Sequence, residues 1–263
     1  MFTTHFGMAT HPFSERVCAK DMLKDERVEQ GLARLTYLAD EGLIGLVTGS
    51  TGTGKSCLLK LFLEGLTTSR FQPVYVHLTH VKPSSILKLI ATGLGEQPRQ
   101  RGKEMLFLQI LEKTRATDRT TLIILDEAHL LSSEALTDVR LLVSSALDDA
   151  HIKIVLAGQE TLADQLRRSC HSDLVGRISV RYHMRAFTEE QTSCYIDFRM
   201  RKSGSSEKVF EPEAKTLIHS YTGGVPRNIN NIATACLINA AGRNLQKIND
   251  ALVNDTFGEF KLP

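Results

Sequence analysis

The sequence contains no apolar stretch long enough to cross a bilayer. Its longest apolar stretches, Leu43–Val47 and Leu122–Leu125, are about one strand in length, whereas a membrane-spanning helix needs about 20 apolar residues. The first thirty residues are rich in charge and lack the apolar core of a secretory signal. We therefore expect a cytoplasmic protein without a membrane segment.

The sequence also has little net charge and few cysteines. Its 32 Lys+Arg and 30 Asp+Glu give a formal net charge of +2, which excludes histone-like charge and leaves DNA contacts to local patches. The 5 cysteines are scattered, without a CxxC pair or a zinc-ligand spacing, and this pattern is typical of reduced thiols in the cytosol. The hydrophobic fraction of 42% is that of a globular protein.

Short apolar runs alternate with longer amphipathic stretches over the first 187 residues. The middle runs lack polar alternation, as do strands that are buried on both faces of a parallel sheet. The predicted strands are Gly42–Thr48, Pro73–Leu78, Thr121–Asp126, Ile152–Ala157 and Ile178–Met184. Helix-length stretches separate them, so the sequence predicts an α/β fold, an open five-stranded parallel sheet with right-handed crossovers and flanking helices.

The pattern changes after Arg185, beyond which we predict helices only. These helices are Glu189–Lys202, Pro212–Tyr221 and Asn228–Ala241. Thr188 and Gln191 form a capping box before the first of them. We therefore divide the chain into a lead-in with one helix (1–41), an α/β core (42–187) and a small all-helical lid (188–263).

A phosphate-binding motif follows the first predicted strand and precedes a helix. Residues 49–56 fit GxxxxGK[ST] at every fixed position. Glycines let backbone N–H groups turn towards phosphate oxygens, and the helix N-terminus adds partial positive charge. Lys55 is expected at the β- and γ-phosphates of ATP and the Ser56 hydroxyl at Mg²⁺. The predicted nucleotide-binding residues of this segment are Gly49, Ser50, Thr51, Gly52, Thr53, Gly54, Lys55, Ser56 and Cys57.

An acidic pair ends the third predicted strand. Asp126 is expected to hold Mg²⁺ through its water shell, and Glu127 to polarise the attacking water. A carboxylate beside the metal-holding one indicates an NTPase that hydrolyses its substrate. The alternative is an acidic start to the next helix, which the intact phosphate-binding motif makes the weaker interpretation.

The two motifs together resemble those of the AAA+ ATPases, over nearly the whole chain. Three further features carry the resemblance: Gly158-Gln159 after the fourth strand, Gly176-Arg177 before the fifth, and Gly-Gly-Val-Pro-Arg at 223–227. The resemblance implies that Gln159 is a sensor near the γ-phosphate and that Arg227 contacts the nucleotide from the lid. It also implies that Arg177 completes the site of a neighbouring subunit in trans, with Arg181 as the second candidate for that role.

Finer features resemble the ExeA-type ATPases and the related TniB, TnsC and MuB helpers of DNA transposition. They are His11-Pro12-Phe13, Gly31-Leu32, Gly42, Asp126-Glu127-Ala128-His129, Gly158-Gln159 and the Gly-Gly-Val-Pro-Arg run. Secretion-type ExeA proteins carry a membrane span and a cell-wall-binding domain after the ATPase, and this chain ends at Pro263 with neither. We therefore expect the transposon-borne form. The resemblance implies a homo-oligomeric ring or spiral, ATP and Mg²⁺ between core and lid, and a transposase as partner.

Basic residues outnumber acidic ones nine to four between Leu66 and Thr120. We expect loops in this region to contact the phosphates of double-stranded DNA without reading bases, although a solvated loop is the alternative. The candidate DNA contacts are Lys82, Arg99, Arg101 and Lys103. A weaker basic patch covers residues 199–202, and no helix-turn-helix or zinc module indicates sequence-specific binding.

Two other functions remain open from the sequence. One is a secretion-assembly ATPase that acts on a membrane partner and needs no DNA. The other is a nucleotide-dependent switch with negligible turnover.

Overall fold

A computed structural model describes residues 1–14, 22–78, 85–97, 102–145, 151–205 and 207–260. The chain forms two compact units, of which one contains Met1–Leu23, Gly52–Gly54 and Arg185–Pro263. The other contains Lys24–Thr51 and Lys55–Met184. We call them the helical unit and the sheet unit.

The secondary structure agrees with the predicted α/β organisation. The strands are β1 (Ile44–Thr48), β2 (Phe71–His77), β3 (Thr120–Asp126), β4 (Ile152–Gly158) and β5 (Ile178–His183). The helices are α1 (Phe2–His5), α2 (Glu26–Glu41), α3 (Lys55–Glu64), α4 (Ser85–Gly93), α5 (Gly102–Arg115), α6 (Ser133–Ser145), α7 (Glu160–Leu166), α8 (Ser172–Gly176), α9 (Glu189–Lys202), α10 (Pro212–Thr222), α11 (Pro226–Gly242) and α12 (Asp250–Phe260). Among the described residues, none of these helices has the length and apolar composition of a membrane span.

The sheet unit is built on a five-stranded sheet in the order β2-β3-β4-β1-β5, and every neighbouring pair is parallel. All five predicted strands are confirmed, with ends displaced by two residues at most. The central strands are buried on both faces: every residue of β1 and all of β3 after Thr120 lie in the interior. This burial is the reason for their unbroken Val, Ile and Leu runs. The edge strand β5 alternates instead, with Arg181 and His183 exposed.

Helix α2 belongs to the sheet unit, although the sequence analysis assigned it to a lead-in of residues 1–41. Asp25 caps the helix, because its carboxylate accepts a hydrogen bond of 3.0 Å from the Val28 amide. The apolar face then contacts α3 and β5. The division into lead-in, core and lid therefore remains a proposal. The chain passes from one compact unit to the other after Leu23, on either side of Gly52–Gly54 and after Met184.

The helical unit has an apolar core of its own. Phe13 and Phe210 meet edge to face in it, with ring centroids 6.1 Å apart. The capping box is present: the Thr188 hydroxyl accepts from the Gln191 amide at 3.2 Å, and the Gln191 side chain accepts from the Thr188 amide at 3.0 Å. The N-terminal segment thus packs into this unit through Phe13, which lies outside every helix that the sequence predicts.

A buried arginine fixes the N-terminal segment within the helical unit. Arg199 is 7% exposed, and its guanidinium donates to the Pro12 carbonyl at 2.5 Å and to the Ser14 carbonyl at 3.2 Å. Met200 is fully buried. The expectation of a basic surface patch over residues 199–202 is therefore wrong for Arg199, because its side chain is buried and its guanidinium is bound to two backbone carbonyls.

We expect Arg199→Met to lower the free energy of unfolding by about 1–3 kcal/mol. Met fills similar volume but removes the guanidinium that donates to the two carbonyls, and a hydrogen bond that involves a charged group contributes about that much. Chemical denaturation measures the difference. The matched control is Lys202→Met, on the exposed side of the same helix, which we expect to stay within about 0.5 kcal/mol. Equal stability of Arg199→Met and the parent would contradict the anchoring role.

Candidate nucleotide-binding and hydrolysis site

The phosphate-binding motif forms the turn between β1 and α3. Gly49, Gly52 and Gly54 have φ values of 152°, 84° and 105°, which side-chain-bearing residues rarely adopt. A Cβ at Gly52 would also lie only 2.8 Å from the Cβ of Arg227. Glycine is thus required at this position by both backbone conformation and space, as a loop that wraps phosphate groups demands.

Lys55 begins α3, and its side chain turns back over the loop. The side-chain ammonium donates to the carbonyl oxygens of Gly49 at 2.7 Å and of Ser50 at 3.0 Å. The residue is only 6% exposed. The charge is therefore held inside the curve of the loop, where phosphate oxygens would meet it.

A carboxylate that the sequence analysis missed contacts the same loop. The Ser50 hydroxyl donates to Oε1 of Glu160 at 3.0 Å. The pKa of Glu160 is lowered, first by a hydrogen bond from its own backbone amide at the start of α7 and further by Ser50 and the positive charges of His183 and Lys55. Glu160 directly follows Gln159, so the only sequence signal was its place beside the expected sensor.

Asp126 ends β3 as a fully buried carboxylate, 0% exposed. Its Oδ2 accepts a hydrogen bond of 2.6 Å from the Tyr75 hydroxyl, and its Oδ1 accepts one of 3.0 Å from the Glu127 amide. Nδ1 of His77 lies 3.5 Å from the same Oδ2. The β2–β3 register pairs His77 with Asp126, and this pairing brings two side chains of β2 to the acidic motif.

Tyr75 is in turn perturbed by its surroundings. Burial raises the pKa of its phenol, and the hydrogen bond and negative charge of Asp126 raise it further. A hydrogen bond with Ser56 acts on this pKa in the opposite direction. Tyr75 therefore stays a neutral donor at physiological pH, in contact with both side chains predicted to bind Mg²⁺. Sequence reasoning missed it, because a tyrosine in a strand is an ordinary residue there.

Glu127 has a strained backbone. Its φ of 62° and ψ of 34° lie in the left-handed region, which costs a residue with a side chain about 1–3 kcal/mol. Its carboxylate oxygen Oε2 lies 3.2 Å from Nδ1 of His129, an ion-pair distance. Strain of this kind persists where surrounding contacts enforce it, and it is concentrated at functional sites.

The donor set fits Mg²⁺. The ion prefers oxygen ligands and is usually held by one or two carboxylates together with substrate phosphates. Asp126 offers the carboxylate and Ser56 the hydroxyl. Among the described residues no group of three His, Cys, Asp or Glu side chains could hold a metal on its own, so the phosphates of the nucleotide would complete the site.

The two candidate arginines lie in the sheet unit: Arg177 directly precedes β5, and Arg181 lies within that strand. Arg177 is half-buried and follows α8, whereas Arg181 is exposed on β5. Arg181 lines a cavity of about 350 Å³, together with Thr48, Arg167 and His183. A role in a neighbouring subunit stays a prediction for both arginines.

The Gly-Gly-Val-Pro-Arg run lies in the helical unit, where its second glycine has a structural reason. The carbonyl of Gly224 accepts from the Phe187 amide at 2.9 Å, and a Cβ at Gly224 would lie 2.0 Å from the Phe187 oxygen. The Arg227 amide donates to the Gly52 carbonyl at 3.3 Å. Contact between the Arg227 side chain and nucleotide stays a prediction, as does the sensor role of Gln159, which precedes α7 without a side-chain capping bond.

The remaining candidates divide into two groups. Lys82, Arg99 and Arg101 lie outside the described residues. Lys103 is described, and its ammonium lies 2.8 Å from both Glu134 and Asp138, which raises its pKa through those hydrogen bonds. These two carboxylates join α5 to α6 through Lys103, so a contact with DNA would compete with them. Cys57 is partly buried in the first turn of α3.

We expect Glu127→Gln to lower ATP turnover by about a hundredfold or more, because the amide cannot take a proton from water. Nucleotide affinity should change little, since Gln keeps the size of the side chain. Phosphate release and binding of a fluorescent ATP analogue measure the two quantities. The control is Glu29→Gln, at an exposed position of α2, and unchanged turnover in Glu127→Gln would contradict the assignment.

Residues 39–166 match the family described as AAA domain. General secretion pathway protein A of Aeromonas hydrophila is 31% identical over 254 residues, which are 94% of this chain and 46% of that protein. The chain therefore spans about half the length of this curated relative.

Solved structures share the fold. Cdc6p from Pyrobaculum aerophilum has a TM-score of 0.74 at 20% identity, covering 96% of this chain and 72% of that chain. The Aeropyrum pernix ORC1 protein in complex with DNA has a TM-score of 0.71 at 18% identity, covering 95% and 68%. Drosophila ORC bound to DNA has 0.74 at 18%, covering 100% and 66%. Residues 39–166 thus match the AAA domain family, the chain is similar to General secretion pathway protein A over most of its length, and its fold is that of the Cdc6 and ORC proteins.

Proposed function

We propose that this chain hydrolyses ATP with Mg²⁺, assembles as a homo-oligomer on double-stranded DNA, and serves in the cytoplasm as an accessory protein of DNA transposition. The observation that carries the hydrolytic part is the acidic pair at the end of β3. Asp126 is buried and tied by two hydrogen bonds, while the adjacent Glu127 is held in a left-handed conformation beside it. Asp126 would thus hold the metal, and Glu127 would act on the attacking water.

The division of labour follows from these positions. Lys55 would neutralise the phosphates inside the loop, and Ser56 and Asp126 would hold Mg²⁺. When bound, Mg²⁺ supplies positive charge that offsets the charge on the phosphates. Glu127 would take the proton of the attacking water. Gln159 would lie near the γ-phosphate and Arg227 would contact the nucleotide, so that the positions of both side chains would differ between the ATP and ADP states.

The DNA part of the proposal has two supports. Basic residues are in excess between Leu66 and Thr120, and two proteins with this fold, the ORC1 protein and Drosophila ORC, have been solved with DNA. Phosphate contacts of Lys82, Arg99 and Arg101 would bind DNA without sequence preference. The transposase as partner rests on the resemblance of the sequence motifs to transposition helpers.

A second candidate function is supported by the curated relative. General secretion pathway protein A matches 94% of this chain, and its name refers to secretion. This similarity favours the other function left open by the sequence, a secretion-assembly ATPase that acts on a membrane partner. Such a protein would not need DNA. Duplex binding therefore separates the two candidates.

We expect Arg177→Ala to lower turnover by about a thousandfold, in the range seen for trans arginines, while ATP binding stays nearly intact. Arg181→Ala should retain turnover. Mixing Arg177→Ala subunits with Glu127→Gln subunits should restore part of the activity, because some sites then combine an intact Glu127 with an intact Arg177 from the neighbour. Normal turnover of Arg177→Ala would remove the assignment and move it to Arg181.

We expect a labelled random-sequence duplex to bind tightly with ATP and weakly with ADP or without nucleotide, and the affinity to fall steeply with salt. The slope of log affinity against log salt should decrease by about 1 for each phosphate contact that is removed. Arg99→Ala and Arg101→Ala test this, with Lys247→Ala, at an exposed position of the helical unit, as control. No binding under any condition would overturn the DNA proposal and favour the secretion candidate.

A further inference from the structure

Tyr75 contacts both predicted magnesium ligands, Asp126 and Ser56, although it lies in none of the motifs identified in the sequence. Tyr75 lies on β2, two residues before the strand ends. Its hydroxyl donates to Oδ2 of Asp126 at 2.6 Å. It also contacts Ser56, the residue that follows Lys55 in the phosphate loop.

The direction of these hydrogen bonds decides what the phenol can do. Asp126 is an acceptor only, so the Tyr75 proton points to its carboxylate. The Ser56 hydroxyl can then donate its own proton to the phenol oxygen, and its lone pairs remain free for a cation. Oδ1 of Asp126 is oriented at the same time by the Glu127 amide at 3.0 Å. Because both of its oxygens accept hydrogen bonds, the Asp126 carboxylate is fixed against rotation.

Nothing else described on β2 can replace this contact. His77 is the other side chain of the strand that faces Asp126, but its Nδ1 lies 3.5 Å from Oδ2 and its side chain is 57% exposed. A separation of that length is at the limit of a hydrogen bond. Without the Tyr75 hydroxyl, the carboxylate would keep the Glu127 amide as its short donor and gain freedom to rotate.

We propose that Tyr75 is a positioning residue of the magnesium site, which orients the Asp126 carboxylate and the Ser56 hydroxyl for Mg²⁺ bound with ATP. The inference rests on the proposed ATPase function. It predicts a role in metal affinity rather than in nucleotide affinity, because the two residues that Tyr75 contacts, Asp126 and Ser56, are the predicted Mg²⁺ ligands.

The test is Tyr75→Phe, which keeps the ring and removes only the hydroxyl. Binding of a fluorescent ATP analogue is measured in EDTA and across a series of free Mg²⁺ concentrations. In EDTA we expect the same affinity as the parent within about twofold. The Mg²⁺ concentration for half-maximal response should rise about tenfold or more, as it does when partners of metal ligands are removed. The matched control is Tyr37→Phe on α2, where Tyr37 is 57% exposed, and its Mg²⁺ response should equal that of the parent.

A double-mutant cycle distinguishes positioning from a general loss of structure. In the Asp126→Asn background, Tyr75→Phe should cause no further change in the Mg²⁺ response, because the hydroxyl acts through that carboxylate. An additive effect in the cycle, or a normal Mg²⁺ response of Tyr75→Phe, overturns the inference and leaves the ATPase proposal intact. A parent protein whose nucleotide binding does not respond to Mg²⁺ would also overturn the inference, whereas only the absence of Mg²⁺-dependent phosphate release from the parent would overturn the ATPase proposal.

Discussion

The buried carboxylate of Asp126 is the constraint on which the site depends. A charged group with no exposure to water is tolerated only where hydrogen bonds replace the lost hydration. Tyr75 supplies one from the neighbouring strand and the Glu127 amide supplies another. The parallel register of β2 and β3 is therefore part of the site, because a shift of one residue would turn Tyr75 to the other face of the sheet.

The rest of the site consists of charges held close to the phosphate loop. Lys55 is turned inwards on two carbonyl oxygens of the loop, and Glu160 accepts a hydrogen bond from Ser50 at its other end. A cation and a carboxylate thus contact the same short segment. Phosphate would be attracted by the first and repelled by the second.

Fold similarity and sequence similarity connect this chain to proteins whose names indicate different roles. The proteins solved with DNA share its fold at 18% identity, whereas the relative named for secretion is 31% identical over most of the chain. A fold supports many functions, and function depends on particular surfaces. The acidic pair and the phosphate loop are common to both candidates. The partner must therefore be decided by surfaces outside the nucleotide site.

The strands, the phosphate loop and the acidic pair could be predicted from the sequence, because they depend on local pattern: apolar runs, glycine spacing, and charges at strand ends. The capping box, which spans four residues, was predicted for the same reason. The fold was needed to show that Tyr75 contacts Asp126, that Glu160 contacts Ser50, and that Arg199 is buried on the carbonyls of Pro12 and Ser14. Those contacts join residues 51, 110 and up to 187 positions apart. The order of the strands and the packing of the helices determine which residues meet over such separations. The pattern within a single segment contains no information on these contacts.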